Sequence, residues 1–381
     1  MRKRVLIVIS SLKIGGGAER VASTLGTELY HRDYEVHYLT FYKHSKNYDF
    51  KGKHVCLNES FKEGVISKGA KLFSRARKIA KYCKKNNIDT CIGFMEAANF
   101  PTILSKVLFR SKSKIIVSVH NEPSKLFGNN IEKILMKLTY KRANTVIGVS
   151  ENVSSKLREF NVRNVKTIYN VNNISEFIRK SNDDKNMKFN FSEENFVFIN
   201  IGRLTEQKNQ ITLINAFSRI NYKNKKLLIL GEGSKRKELE KKINELGLNN
   251  YVFLLGNIDN VYPYIKNSDC FVLSSEWEGF GLTIVEALSL NKPVISTDCK
   301  YGPREILSPG LKNDKKINYP YYGEYGILVT PVLGKKQEEE LSRVMEEFIN
   351  NKKLQKQYSK GLKRAKDFDT DKVIEEWEKI I

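Results

Sequence analysis

Two glutamates, Glu278 and Glu286 in WEGFGLTIVEA, bracket a glycine-rich turn and an apolar run. On one continuous helix the eight residues from one to the other would make about 2.2 turns, setting the carboxylates on roughly opposed faces. The preceding CFVLSS (270–275) reads as a buried strand, EWEGFG as a loop with two glycines, and Leu282–Leu290 as a helix. That helix then starts near Gly281–Leu282, and the free N–H groups of Leu282, Thr283 and Ile284 point back into the loop. Such an end suits a phosphate, and the glycines let a ligand approach the backbone. Taken alone, the pair also suits a solvated loop carboxylate and a capping or surface one.

Neighbouring residues supply matching charge. The strand FVFINIG (196–202) runs into Arg-Leu-Thr-Glu-Gln-Lys, so Arg203 and Lys208 emerge at its carboxyl end. A guanidinium and an ammonium there can clamp a diphosphate and neutralise a leaving phosphate. Each alone is equally a solvated loop cation. Gly231-Glu-Gly-Ser follows the next strand and is compatible with any βα turn; Asn257-Ile-Asp-Asn-Val follows the one after, also at the edge of the cleft. His120 ends the apolar strand KIIVSV (114–119), as a structural hydrogen-bonder or a site residue.

These side chains need strands to carry them. Short β-branched runs alternate with helical stretches, which predicts βα units and parallel sheets, an α/β fold. VLIVIS (5–10), VHYLTF (36–41), TCIGF (90–94), KIIVSV and TVIGVS (145–150) are the strands expected in the first half. FVFINIG, KLLILG (226–231), YVFLLG (251–256), CFVLSS and PVISTD (293–298) are those of the second. Asn170–Glu194 is polar, Asn-rich and without period, which reads as a linker. The expected division is a domain over 1–170, a linker over 171–195, a second domain over 196–360, and a helical tail over 361–381 packing back on the first. Two doubly wound domains of this kind bind ligands beyond the carboxyl ends of their strands.

The 381 residues are too many for one ordinary core. The N-terminal apolar run Val5–Ile9 is too short for a signal peptide, and no stretch approaches the ~18 apolar residues that span a bilayer. Five cysteines without a CxxC pair read as scattered thiols of a reducing cytosol, and the five histidines lack metal-ligand spacing. Charge is uneven: 32 basic residues meet 13 acidic ones over 1–170, against 34 and 30 in the remainder. The first half is therefore expected to meet something anionic.

GRLTEQKN, LLILGEGSKRKELE, FLLGNIDNVYPYIKNSDCFVLSSEWEGFGLTIVEAL and KPVISTDCKYGPREIL together resemble the retaining glycosyltransferases of family 4, with the GT-B fold of two Rossmann-like domains. The likeness covers most of 196–310 and continues in SSLKIGGGAERVASTLG near the start. It implies that Glu278 is the first glutamate of the family's E-x7-E motif, at the donor sugar, and that Glu286 holds the ribose hydroxyls. Arg203 and Lys208 would bind the donor diphosphate with the backbone of Gly281, Leu282 and Thr283. Gly231, Gly279 and Phe280 would line the donor, and Asn257–Val261 would flank the base. His120 would lie near the donor sugar, and Gly16 and Gly17 would line the acceptor side. The implied chemistry is transfer with retention, assisted by the leaving diphosphate, with no metal and no cofactor beyond the donor. The expected donors are UDP-GalNAc, UDP-GlcNAc or UDP-Gal.

Residues 62–85 hold nine Lys or Arg against one Glu, with apolar residues at near-helical spacing. This is either a solvated surface helix or an interfacial one facing anionic lipid through Lys71, Phe73, Arg75, Arg77, Lys78 and Lys81. A lipid-linked glycan acceptor at the inner face of the cell membrane would account for the charge. The competing expectations are a nucleotide-sugar epimerase, a transferase with a soluble acceptor, and a nucleic-acid-binding protein. Against the last, no helix-turn-helix, RNP or zinc pattern is present.

Overall fold

The computed structural model describes residues 2–60, 65–121, 123, 136–185, 187–312 and 314–381, with the backbone alone for 65–68. The chain divides into two compact units, residues 1–172 with 370–381 and residues 173–369.

The first unit is built on a seven-stranded sheet of β1 (Arg4–Ile9), β2 (Glu35–Thr40), β3 (Lys53–Cys56), β4 (Thr90–Phe94), β5 (Lys114–Val119), β6 (Thr145–Gly148) and β7 (Val165–Thr167). Their order is β3-β2-β1-β4-β5-β6-β7 and every pair is parallel. The central strands are buried along almost their whole length, as helices on both faces of a parallel sheet require. β3 and β7 at the two edges were not expected. KHVC and VKT are short and largely solvent-facing, so they lack the apolar run that betrays a central strand.

Three helices of this unit carry candidate residues: α1 (Gly17–His31), α2 (Val65–Lys85) and α3 (Glu96–Val107). α2 packs through Ala76, Ile79, Ala80 and Cys83. Arg77, Lys78 and Lys81 are exposed and Phe73 is 52% exposed, but Arg75 is not on that side. The Arg75 guanidinium turns inward, 2.7 Å from the Glu59 carboxylate and 4.0 Å above the Phe41 ring, which removes it from any outer surface. Lys71 is half-buried and donates to the Ser60 carbonyl at 3.1 Å. Residues 62–64 of the basic stretch lie outside the described residues.

The helix Thr370–Glu378 completes this unit from the far end of the chain. Trp377 is buried and stacks on Phe94 at 6.2 Å, Arg32 pairs with Glu378 at 2.9 Å, and Thr90 donates to the Ile381 carbonyl at 3.1 Å. The return falls at 369–370, so residues 361–369 stay with the second unit, where Arg364 donates to the carbonyls of Glu305 and Ile306 at 2.7 and 2.9 Å.

The second unit repeats the architecture with β8 (Phe196–Ile201), β9 (Lys225–Leu230), β10 (Val252–Gly256), β11 (Cys270–Leu273), β12 (Val294–Thr297), β13 (Tyr321–Tyr322) and β14 (Ile327–Val329). The order is β10-β9-β8-β11-β12-β14-β13, with only β13 antiparallel to its neighbour among the described strands. Its core joins Phe198, Leu227, Ile229, Val272 and Ile295 of the sheet to Leu213, Phe217, Val344 and Phe348 of flanking helices.

The segment read as a linker contains a helix, α4 (Ile174–Lys180), that belongs to this unit. Asn173 caps it, its Oδ1 accepting from the Glu176 N–H at 2.9 Å, and Phe177 stacks on Tyr262 at 4.7 Å. Asparagine followed three residues later by glutamate is a helix-start signal that the polar composition around it had masked.

Candidate active site

In the second unit the chain runs outward from β8 to β10 and then returns to the other side of β8 with β11. The switch point therefore lies between β8 and β11, flanked by the loops 202–209 and 274–281. Ligands of doubly wound sheets bind there. The two loops are stitched together: Gln207 donates to the Trp277 carbonyl at 2.9 Å, Ser274 to the Lys208 carbonyl at 2.9 Å, and the Glu276 N–H to the Gln207 carbonyl at 2.9 Å.

These bonds bring Lys208 and Glu278 together. Lys208 Nζ lies 2.6 Å from Glu278 Oε1, and the Ser275 hydroxyl donates to the same oxygen at 2.6 Å. Both charges are largely withdrawn from water, with 15% and 8% of their side chains exposed. A pair this buried is strongly destabilised when one partner is lost. Ser275 was not anticipated; it is the last residue of CFVLSS, where the sequence offers a strand end and no hint of a side-chain partner.

Helix α5 (Leu282–Ser289) begins where the loop reading put it, and no side chain caps its N-terminus. Gly281 is left-handed at φ 100° and directs the chain into the helix. Leu282 and Thr283 are half-buried, whereas Gly279, Phe280 and Glu286 are buried. Glu278 therefore precedes α5 and Glu286 stands in its second turn, with the uncapped end between them.

Arg203 leaves the end of β8 exposed, and no ion pair to it is found among the described residues. Gly231 (φ 135°) ends β9, with its α-carbon so close to the Gly202 carbonyl that a Cβ would overlap it. Asn257 is exposed beyond β10, and Val261 is half-buried before the helix Tyr262–Asn267.

A second arrangement supports this site and was only partly legible in KYGPRE. Asp298 follows β12 and takes the Arg304 guanidinium, whose Nε lies 3.0 and 3.1 Å from its two oxygens; Tyr319 donates to Asp298 at 2.6 Å. Arg304 also donates to the Lys315 carbonyl at 2.8 Å. The strip 298–304 so fixed lies along the glutamate loop, where the Glu278 N–H donates to the Lys300 carbonyl at 3.3 Å and Gly302 (φ 116°) abuts the Phe280 carbonyl.

The first unit holds the other candidates. His120 follows β5, with Nε2 3.0 Å from the Ser118 hydroxyl and its ring 5.3 Å from Phe94. Burial pushes its pKa down to about 3, so it is a neutral imidazole at physiological pH. Gly16 is the N-cap of α1 and Gly17 its first residue; the Glu19 carboxylate folds back over Gly16. Among the described residues, no group of three or more His, Cys, Asp or Glu side chains could hold a metal ion.

Residues 15–175 match the family described as Glycosyltransferase Family 4, and residues 181–365 match Glycosyl transferases group 1. An uncharacterised glycosyltransferase of Methanocaldococcus jannaschii is 39% identical over 93% of this chain and 94% of its own length. The Campylobacter jejuni N-acetylgalactosamine-N,N'-diacetylbacillosaminyl-diphospho-undecaprenol 4-alpha-N-acetylgalactosaminyltransferase is 29% identical over 94% of each chain. An Anabaena protein crystallised with UDP and glucose superposes with a TM-score of 0.78 at 19% identity, covering 99% of each chain, a likeness of fold.

Proposed function

The chain belongs to glycosyltransferase family 4, the GT-B type, and from that membership we propose that it transfers a hexose or N-acetylhexosamine, with retention, from a UDP-sugar to a lipid-linked glycan. The observation that carries this reading is the uncapped start of α5 between two buried glutamates, with Lys208 held 2.6 Å from the first of them. The diphosphate takes the helix end, Arg203 and Lys208; the sugar takes Glu278; the ribose takes Glu286. An ammonium has three protons to give, so Lys208 can serve Glu278 and a phosphate oxygen together.

In the reaction the bond from the anomeric carbon to the phosphate oxygen breaks, and the acceptor oxygen bonds to that carbon on the same face. The acceptor proton passes to the departing phosphate oxygen. Negative charge grows on the diphosphate, and Arg203, Lys208 and the N–H groups of Leu282 and Thr283 stabilise it without a metal being called for.

A thermal-shift panel of UDP-GalNAc, UDP-GlcNAc, UDP-Gal and GDP-mannose tests the donor. One UDP-sugar is expected to raise Tm by several degrees at saturation, since a ligand that binds only the folded state stabilises it by mass action. Anomeric configuration in the product, read by NMR, then tests retention. Indifference to every nucleotide sugar, or an inverted product, would contradict the proposal.

The lipid-linked class of acceptor draws support from the outer side of α2. Exposed Arg77, Lys78 and Lys81 accompany Phe73, whose ring meets Phe109 edge-on at 4.9 Å, and Val107 and Leu108 are 46% and 50% exposed. Basic heads around an apolar tip suit an anionic lipid surface. No helix among the described residues is long and apolar enough to cross a membrane. We place the protein peripherally on the inner face of the cell membrane. It should co-sediment with phosphatidylglycerol vesicles at 0.15 M salt, and the double change Phe73→Ser, Lys78→Glu should weaken that binding about tenfold. Wild-type protein that ignores such vesicles removes the membrane part of the reading.

A further inference from the structure

The first unit has a switch point of its own, between β1 and β4, because the chain runs from β1 out to β3 and returns with β4 on the other side. The start of α1 reaches it with Gly16, the N-cap, and Gly17. From β4 comes a sharper turn: Met95 is held at φ 67°, an unusual conformation for a bulky residue. The turn is fastened by the Met95 N–H to the Ser118 carbonyl at 3.1 Å, and by Asn99, whose amide donates to the same carbonyl at 3.0 Å and to Tyr140 Oη at 3.1 Å. Strain kept in place by such fastening marks functional positions more often than random ones.

Its effect is to start the twelve-residue α3 at once, with Glu96 as its first residue. Glu96 and His120 each lie two residues past the in-register pair Phe94 and Ser118, so they share one end of two adjacent strands. Glu96 as a whole is half-buried, but its Oε1 is shut off from water and has no hydrogen-bond partner among the described residues. Most buried side-chain oxygens of native folds have a hydrogen-bond partner, so one without any calls for an explanation. Burial, opposed only by the backbone N–H of Glu96 and the Asn121 side chain, pushes the carboxyl up to about 7, so both its protonated and ionised forms are present near neutrality. Either form accepts a hydrogen bond from a sugar hydroxyl, and rotation of the terminal carboxyl, a soft torsion, changes which oxygen faces outward.

We propose that Glu96, with Asn121 and His120 beside it, forms a subsite for one hydroxyl group of the acceptor glycan, the Glu96 carboxyl taking the hydrogen bond its Oε1 lacks. This rests on the reading of the protein as a transferase to a lipid-linked glycan. Glu96 is here a residue that binds and orients the acceptor.

The test uses full-length protein, the UDP-sugar selected by the thermal-shift panel, and synthetic farnesyl-diphosphate-linked GalNAc and GlcNAc with their single-deoxy analogues. Glu96→Ala should raise the acceptor KM or lower acceptor kcat/KM by about 30-fold, with the donor-induced Tm shift unchanged. Glu96→Gln, which keeps a neutral hydrogen-bonding group, should return to within about fivefold of wild type and also serves if the alanine variant folds poorly. One deoxy analogue should be poor with wild type yet lose nothing further in Glu96→Ala. Equal acceptor kcat/KM for all three proteins, or every deoxy analogue losing the same factor in wild type and variants, overturns the subsite. Wild-type protein that binds a UDP-sugar but extends neither acceptor overturns the lipid-linked reading and the subsite resting on it, whereas failure to bind any donor sinks the transferase proposal itself.

Discussion

Lys208→Ala is expected to lower transfer by about 10²–10³-fold, the loss typical when one preorganised group facing the developing charge is removed. The change acts twice. It withdraws an ammonium from the leaving diphosphate, and it leaves Glu278, 7% exposed, with the Ser275 hydroxyl and no other cation paired with it among the described residues. An unpaired buried charge of that kind costs about 3–5 kcal/mol. The two effects separate in a double variant. Lys208→Ala with Glu278→Gln has no orphaned charge, so its urea midpoint should recover most of the loss while transfer stays low. Transfer by Lys208→Ala within threefold of wild type would show that Lys208 has no part in the chemistry.

The second large effect is expected at Gly302→Ala, a residue far less conspicuous than the charged ones. Gly302 adopts φ 116°, and a Cβ there would collide with the backbone carbonyl of Phe280. Neither group can step aside cheaply. Gly302 lies between Asp298 and Arg304, which are bound to each other, and Phe280 is packed edge-on against Phe368 at 5.2 Å. Left-handed strain and overpacking each cost about 1–3 kcal/mol, which together should lower Tm by about 5–10 °C. Since the displaced strip lies along the loop that joins Glu278 to α5, donor stabilisation should vanish along with the stability. Gly310→Ala is the control, because a Cβ there meets nothing within 4 Å. A Gly302→Ala protein with wild-type Tm and donor response would mean that the strip 298–304 does not set the glutamate loop.

What could be read in the chain beforehand follows the physics of burial. β1, β4, β5, β8 and β11 are covered on both faces, so their sequences are continuous apolar runs and stand out. β3, β7 and β13 lie at sheet edges, and β14 is only three residues long, Ile327–Val329. Such pieces carry too little apolar length to register. The turn from β11 into α5 was legible because glycines and a helix-forming run follow a strand in order. The partners of Glu278 were not, since Lys208 lies 70 residues away and Ser275 has no distinguishing neighbour. Arg75 misled for a related reason: helical spacing says which side of α2 is apolar, but Glu59 comes from a loop whose position no periodicity encodes. Glu96 went unnoticed among ordinary helix formers, because its burial depends on a backbone turn at Met95 that sequence does not announce.

The return of residues 370–381 to the first unit has a consequence for the order in which the protein comes into being. A ribosome makes β1 to β7 early, yet Trp377 and the Thr90–Ile381 bond that complete their packing come only after the second unit has been made. At about 5–20 residues per second, the whole of 173–369 is synthesised in between, over some tens of seconds. The unit begun second is thus the first whose sequence is complete. The earlier-born sheet waits, with the place of Trp377 beside Phe94 still open, until the second unit has been made and residues 370–381 follow it.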